Sequence, residues 1–273
     1  MGVVCGREAT ASVGAGQGEC LVSLRRRLFG GPKDGSLLEW DRSTLEERRR
    51  LGCEGEVGWV CCMTACGDLV ISGHDDDCLR VWNTATGCCD HLLRGRTSLV
   101  LCVASWGQYL VSGSTDKTVK VWSTEKAGSW PCLGTIAVHT GAVYAVVVWE
   151  GRVTSGSKDT TISVPDIVTR QQEATLDAHT GTVRALAVCG RTLLSTSQDC
   201  TIGMWALGTW SHLRMVRVSG HVPDAYSCYC LALSGSMLVC GGACKNGSGF
   251  VVVLDSQTMS CQHTVRLVSS TGC

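Results

Sequence analysis

The chain carries no net charge: 24 Lys plus Arg stand against 24 Asp plus Glu over 273 residues. That balance excludes a general electrostatic pull toward nucleic acid or an anionic membrane surface. Long apolar runs are also missing. AVYAVVVW (142–149) is among the longest, far short of the roughly 20 residues a spanning helix needs. The start, MGVVCGREATASVG, has neither the basic n-region nor the apolar core of a secretory signal. MGVVCG resembles an N-myristoylation start at Gly2 with Cys5 available for palmitoylation, yet Gly6 stands where the motif wants Ser or Thr. Among 19 cysteines no C-x-x-C occurs, so the usual zinc or dithiol spacing is absent. Reduced thiols packed as small hydrophobes are expected, in a cytoplasmic or nuclear protein. Proline and phenylalanine are scarce, at 4 and 2, beside 33 Gly and 9 Trp. Abundant glycine suits many tight turns. The tryptophans need a positional reason.

That reason is a repeat. FGGPKDGSLLEW ends at Trp40, SGHDDDCLRVW at Trp82, SGSTDKTVKVW at Trp122, SGSKDTTISVP at Pro165 and STSQDCTIGMW at Trp205. Six residues before each end stands an aspartate: Asp34, Asp76, Asp116, Asp159 and Asp199, spaced by 42, 40, 43 and 40. A drifted sixth copy, GGACKNGSGFVVVLD, puts Leu254 in the Trp place and has lost the aspartate. Upstream of each turn lie two short β-type runs separated by a tight turn, as in GAVYAVVVWEGRVTSGS. A further polar turn and strand follow each closing residue. Four strands per 40–45 residues is the unit of a β-propeller blade.

Period, strand count, SGSxD turn and closing Trp resemble the WD40 repeat over roughly residues 19–267. The Trp-Asp pair itself survives only at Trp40-Asp41. The resemblance implies an all-β propeller of four-stranded antiparallel blades, with six blades favoured over a seven-bladed or incomplete ring. Units are expected near 19–54, 55–95, 96–138, 139–178, 179–220 and 221–267. Residues 1–18, which include REATASV, form an N-terminal segment able to serve as a closing strand, ahead of a propeller over 19–273.

The resemblance also implies a hydrogen-bonded set in each blade: turn Asp, an upstream His, a strand Ser and the Trp. A neutral imidazole can donate to the carboxylate and accept from the hydroxyl. Only the fifth unit has all four, as His179, Ser195, Asp199 and Trp205. The fourth has His139, Ser155 and Asp159 but ends in Pro165, which removes a ladder donor and should weaken that strand. The third has Ser112, Asp116 and Trp122 with Arg96 in the histidine place, where a cation could pair with Asp116. In the second, Asp76 and Trp82 stand with Glu56 in that place, and the first contributes Asp34 and Trp40.

A His–Ser–Asp set invites a hydrolase reading, but it recurs in parallel copies and no G-x-S-x-G surrounds any of these serines. His74-Asp75-Asp76-Asp77 suggests a hard cation, yet adjacent turn residues seldom converge on one ion. No cofactor, metal or catalytic residue is therefore assigned. The basic triplets Arg25–Arg27 and Arg48–Arg50 read as charge on strand edges and turns, with EERRRL as an outer strand.

By resemblance, the face carrying the loops between blades and between second and third strands receives partners. Counting from the histidine and aspartate places Trp59, Tyr144, Arg184 and Tyr226 there, with Thr115, Lys158 and Gln198 beside the aspartates. Trp, Tyr and Arg are the side chains that dominate binding hot spots. The expectation is a non-catalytic scaffold or adaptor for other proteins or peptides. Nucleic acid and membrane are not expected, and a small molecule is not favoured. The alternative is the substrate-recognition subunit of a ubiquitin ligase complex, although no Trp-Asp-x-Arg signature is present, since Trp40-Asp41 continues as Arg42-Ser43. An enzyme is the third and least supported reading.

Overall fold

A computed structural model of the chain describes residues 20–52, 57–125 and 129–267. Within them, twenty-four strands build six four-stranded antiparallel sheets, each from four consecutive strands. Blade 1 holds β1 (Cys20–Leu24), β2 (Arg27–Gly31), β3 (Leu37–Asp41) and β4 (Glu47–Leu51). Blade 2 holds β5 (Val60–Cys66), β6 (Leu69–His74), β7 (Leu79–Asn83) and β8 (Cys89–Leu93). Blade 3 holds β9 (Val100–Trp106), β10 (Tyr109–Ser114), β11 (Val119–Ser123) and β12 (Cys132–Ile136). Blade 4 holds β13 (Val143–Trp149), β14 (Arg152–Ser157), β15 (Ile162–Pro165) and β16 (Gln172–Leu176). Blade 5 holds β17 (Val183–Cys189), β18 (Thr192–Ser197), β19 (Thr201–Ala206) and β20 (His212–Arg217). Blade 6 holds β21 (Ala225–Ser234), β22 (Met237–Cys244), β23 (Gly249–Asp255) and β24 (Cys261–Leu267). The chain is thus a six-bladed all-β propeller. The N-terminal segment and Glu56 lie outside the described residues.

The recurring aspartate has a local cause. Each of Asp76, Asp116, Asp159 and Asp199 accepts, through its side chain, the backbone N–H two residues on, at Cys78, Thr118, Thr161 and Thr201. This Asx turn fixes the entry to the third strand. The residue right after the aspartate is left-handed each time: Asp77 (φ 64), Lys117 (φ 69), Thr160 (φ 73) and Cys200 (φ 64). Blade 1 puts Gly35 there (φ 77), the residue that adopts this region without strain.

Pro165 has the effect expected of it. The ladder between β14 and β15 shrinks to two pairs, Ser155 with Ser163 and Gly156 with Ile162. The corresponding ladder in blade 5 has five.

Blades pack face to face through apolar side chains of their first three strands, as where Ile71, Leu79 and Val81 of blade 2 meet Val100, Val103, Leu110 and Trp122 of blade 3. The last buried residue of the outer strand (Leu51, Leu93, Ile136, Leu176, Val216) seals each of the first five blades. In blade 6 the corresponding Val265 is 51% exposed, and every residue of β24 is exposed. Across the ring closure, Leu28 and Trp40 of blade 1 are only half-buried, whereas their counterparts Val70, Leu110, Val153, Leu193, Trp82, Trp122 and Trp205 are fully buried. Among the described residues, then, the seam between blades 6 and 1 is the least packed.

Five of the six triplet arginines are tied down internally. Arg49 meets Glu39 at 2.8 Å and also reaches the Thr84 carbonyl in blade 2. Arg27 binds the Thr84 carbonyl and hydroxyl at 2.8 and 2.7 Å. Arg48 pairs with Asp41, Arg50 with Asp34 and Arg25 with Asp68. These bonds join blade 1 to blade 2 or brace its turns.

Candidate functional site

The polar set of blade 5 is complete. His179 Nδ1 lies 3.0 Å from Asp199 Oδ2 and Nε2 lies 2.7 Å from Ser195 Oγ. The Trp205 indole N–H donates to the same serine oxygen at 3.0 Å. A carboxylate can only accept, so Nδ1 carries the proton and Nε2 accepts from the serine hydroxyl. Blade 4 repeats this with His139, Asp159 (3.0 Å) and Ser155 (2.9 Å), without an indole. The spacing mimics a catalytic relay, but Ser155 and Ser195 are wholly buried. No substrate reaches those hydroxyls, and Ser195 already serves as the indole's acceptor. Burial would push the Asp159 carboxyl up, yet bonds from the Thr161 hydroxyl and the backbone N–H groups of Thr140 and Thr161 hold it down at about 2.

Blade 3 uses a different cation. Arg96 Nη1 contacts Asp116 at 3.0 and 3.2 Å, and Nη2 bonds Ser112 Oγ at 2.8 Å. Trp122 donates to that oxygen at 2.9 Å. Arg96 therefore fills the histidine's role.

Blade 2 finds a third solution that its sequence conceals. His74, at the end of β6, donates from Nδ1 to the Gly58 carbonyl at 2.7 Å and takes the Ser72 hydroxyl on Nε2 at 2.6 Å. Trp82 donates to Ser72 Oγ at 2.7 Å. Arg80 pairs with Asp76 at 2.6 Å. The histidine has moved from the inter-blade loop to the strand end. Burial lowers its pKa to about 4, outweighing the Gly58 carbonyl. His74 is thus a core imidazole, and among the described residues no cluster suited to a metal ion occurs.

Blades 1 and 6 lack the set. Gly30 occupies the serine place beneath the Trp40 ring, and Asp34 braces its own turn through Ser36 and Arg50. Blade 6 has Cys240 and Leu254 in the serine and tryptophan places.

The loop-bearing face has its own construction. In β5, β13 and β17 the pairing register slips between Val60 and Cys62, Val143 and Ala145, and Val183 and Ala185. The residue inside each slip (Cys61, Tyr144, Arg184) is the extra residue of a bulge, which re-aims its side chain. β21 has two slips, which hold Tyr226 and Tyr229. Below them the inner strands place Cys20, Cys62, Cys102, Ala145, Ala185 and Cys230 around one narrow central cavity of about 50 Å³. These small side chains line the channel, and burial pushes the Cys20 and Cys102 thiols up to about 12.

At the mouth, the Arg184 guanidinium lies 4.2 Å from the Tyr144 ring centroid and 5.2 Å from that of Tyr229. The structure therefore joins Tyr144 and Arg184, and adds Tyr229, which counting from sequence motifs misses. The second bulge of β21 is what brings it in, and the only sequence hint is a strand run three residues longer than in the sister blades. Tyr226 and Trp59 stand apart as exposed aromatics, 62% and 47% accessible. Lys33 Nζ sits 5.8 Å from the Trp59 ring. Lys158 and Gln198 are exposed, while half-buried Thr115 is bonded to Ser98 at 2.6 Å.

The fold and the blade networks together define a β-propeller of repeated Trp-closed sheets. The family model described as WD domain, G-beta repeat matches residues 48–83, 87–123 and 170–206. The chain is a six-bladed propeller in which these three segments match the WD40 repeat, and the matches end on Trp82-Asn83, Trp122-Ser123 and Trp205-Ala206. The unit ending at Pro165 and the drifted sixth lie outside them. No curated protein matches the chain. Among solved structures, a crystal structure of the computationally designed Ika8 protein shares the fold, with 24% identity, a TM-score of 0.68, and coverage of 95% of this chain and 90% of that one. WD40 propellers are in general non-catalytic scaffolds for other proteins. No helix among the described residues is long and apolar enough to cross a membrane.

Proposed function

We propose that this propeller is a non-catalytic scaffold or adaptor that docks other proteins or peptides on its channel-mouth face. One observation carries the reading: Tyr144, Arg184 and Tyr229 meet at the mouth, with exposed Tyr226 on the same inner strand as Tyr229 and exposed Trp59 just ahead of β5. Large aromatics beside a cation are the composition of interface hot spots. Five of the six triplet arginines, in contrast, are engaged within the chain. A hydrolytic role finds no support, because the serines of the polar sets are buried. The ubiquitin-ligase reading rests on family resemblance alone.

Affinity capture with the chain, followed by partner quantification by mass spectrometry, tests the proposal. Removing a hot-spot aromatic costs about 2 kcal/mol, roughly 30-fold in affinity. Trp59→Ala with Tyr226→Ala should therefore strip partners that Val168→Ala, in a turn on the opposite face, retains. An unchanged partner set in the double variant refutes the face assignment.

A further inference from the structure

Arg184 is an anomaly among the arginines placed inside or between blades. Arg96 and Arg80 meet aspartates, and Arg49 and Arg152 meet glutamates. Among the described residues Arg184 makes no ion pair and no hydrogen bond, and its Nε is buried without a partner. Its guanidinium is held by two tyrosine faces alone. Aromatic faces fix the position of a cation but leave its in-plane N–H donors free. Beneath it the channel lining is small and uncharged, because Cys20, Cys62, Cys102 and Cys230 remain protonated thiols.

We propose that the channel-mouth face recognises an anionic side chain of a docked peptide, a carboxylate or a phosphate ester, seated on Arg184 between Tyr144 and Tyr229. The inference rests on the face being the docking surface. A fixed, stacked guanidinium with unused donors suits a planar carboxylate or a phosphate, both of which accept two N–H bonds at once. Charge placement around the ring disfavours an anion seat at blade 2. Asp75, Asp76 and Asp77 sit in the turn of blade 2, diametrically across the six-membered ring from blade 5, and would repel a second anion there. Asp199 of blade 5 is bound to His179 and Thr201, and Asp224 of blade 6 to Arg266. Neither competes for Arg184.

The test uses the full chain and bead-displayed octapeptides. Their fourth position is fixed as Asp, Glu or phosphoserine, or as the neutral Asn, Gln or Ser, with all other positions randomised. At least one anionic set should be bound about 10-fold more than its neutral counterpart, the gain expected of a charge-assisted pair. Arg184→Gln should abolish the preference and Arg184→Lys should retain part of it, with thermal melts confirming that both variants fold. Preference for phosphoserine alone identifies a phosphate source, and preference for Asp or Glu a carboxylate. Equal binding of anionic and neutral sets, still lost in Trp59→Ala with Tyr226→Ala, overturns the anion seat but leaves the docking face standing. Binding that ignores the aromatic pair, or no binding of any set, overturns both.

Discussion

Replacing Arg96 by Met tests how blade 3 replaces its histidine. The Arg96 side chain is fully buried and the Asp116 side chain only 9% exposed, and the guanidinium bridges Asp116, Thr118 and Ser112. Burial would raise the Asp116 carboxyl, but the Thr118 hydroxyl and Arg96 keep it low and therefore ionised. Methionine fills similar volume while leaving that carboxylate without its cation. Breaking a buried pair by removing one partner costs roughly 3–5 kcal/mol. At about 2 °C per kcal/mol for a chain of this size, the melting midpoint should fall by roughly 6–10 °C. Arg96→His restores the residue of blades 4 and 5, which reaches the same aspartate and serine positions, and should cost only about 1–2 kcal/mol. Thermal and guanidinium melts of the two variants side by side check this. Arg96→Met within 1 °C of the wild type, or Arg96→His less stable than Arg96→Met, refutes the assignment.

Three more substitutions probe the blades. His74 is held neutral, with a folded pKa of about 4 against an ordinary 6.5, so its share of stability is complete above pH 6.5 and drains away as pH falls to 4. The loss should reach about 3 kcal/mol and be absent in His74→Ser, the residue type blades 3 to 5 use there; identical pH profiles of urea stability contradict it. Gly203→Ala would set a Cβ 2.6 Å from Ser195 Oγ and 3.1 Å from His179 Nε2, costing about 1–3 kcal/mol by melting, and a neutral result would mean the blade 5 set is loose. Thr160→Gly relieves a β-branched residue at φ 73 and should raise stability by about 0.5–1 kcal/mol in the same assay, a fall counting against turn strain.

Much of the fold was legible in the sequence because the aspartate and tryptophan answer to local needs. An Asx turn wants its carboxylate at one offset, and an indole N–H needs a buried acceptor, so both recur at fixed spacing. The pairing of Arg96 with Asp116 could be read for the same reason: a cation at the histidine offset has one carboxylate to meet. His74 could not, since it does the same work from a different offset, and only three dimensions bring Gly58 and Ser72 to its two nitrogens. Tyr229 escaped because a bulge shifts every later side chain of its strand, and motif counting assumes an unshifted ladder. The bonds from Arg27 and Arg49 to Thr84 span 57 and 35 residues, beyond any local pattern. Seam packing between blades 6 and 1 likewise depends on which faces meet, which a repeat period does not encode.

Site-specific photo-crosslinking addresses the docking claim most directly. A benzophenone side chain placed at position 226, on the channel-mouth face, is compared with one at position 168, an exposed turn on the opposite face. The account predicts partner crosslinks from position 226, suppressed by Arg184→Gln, and none from 168. Crosslinks from position 168 alone would contradict it.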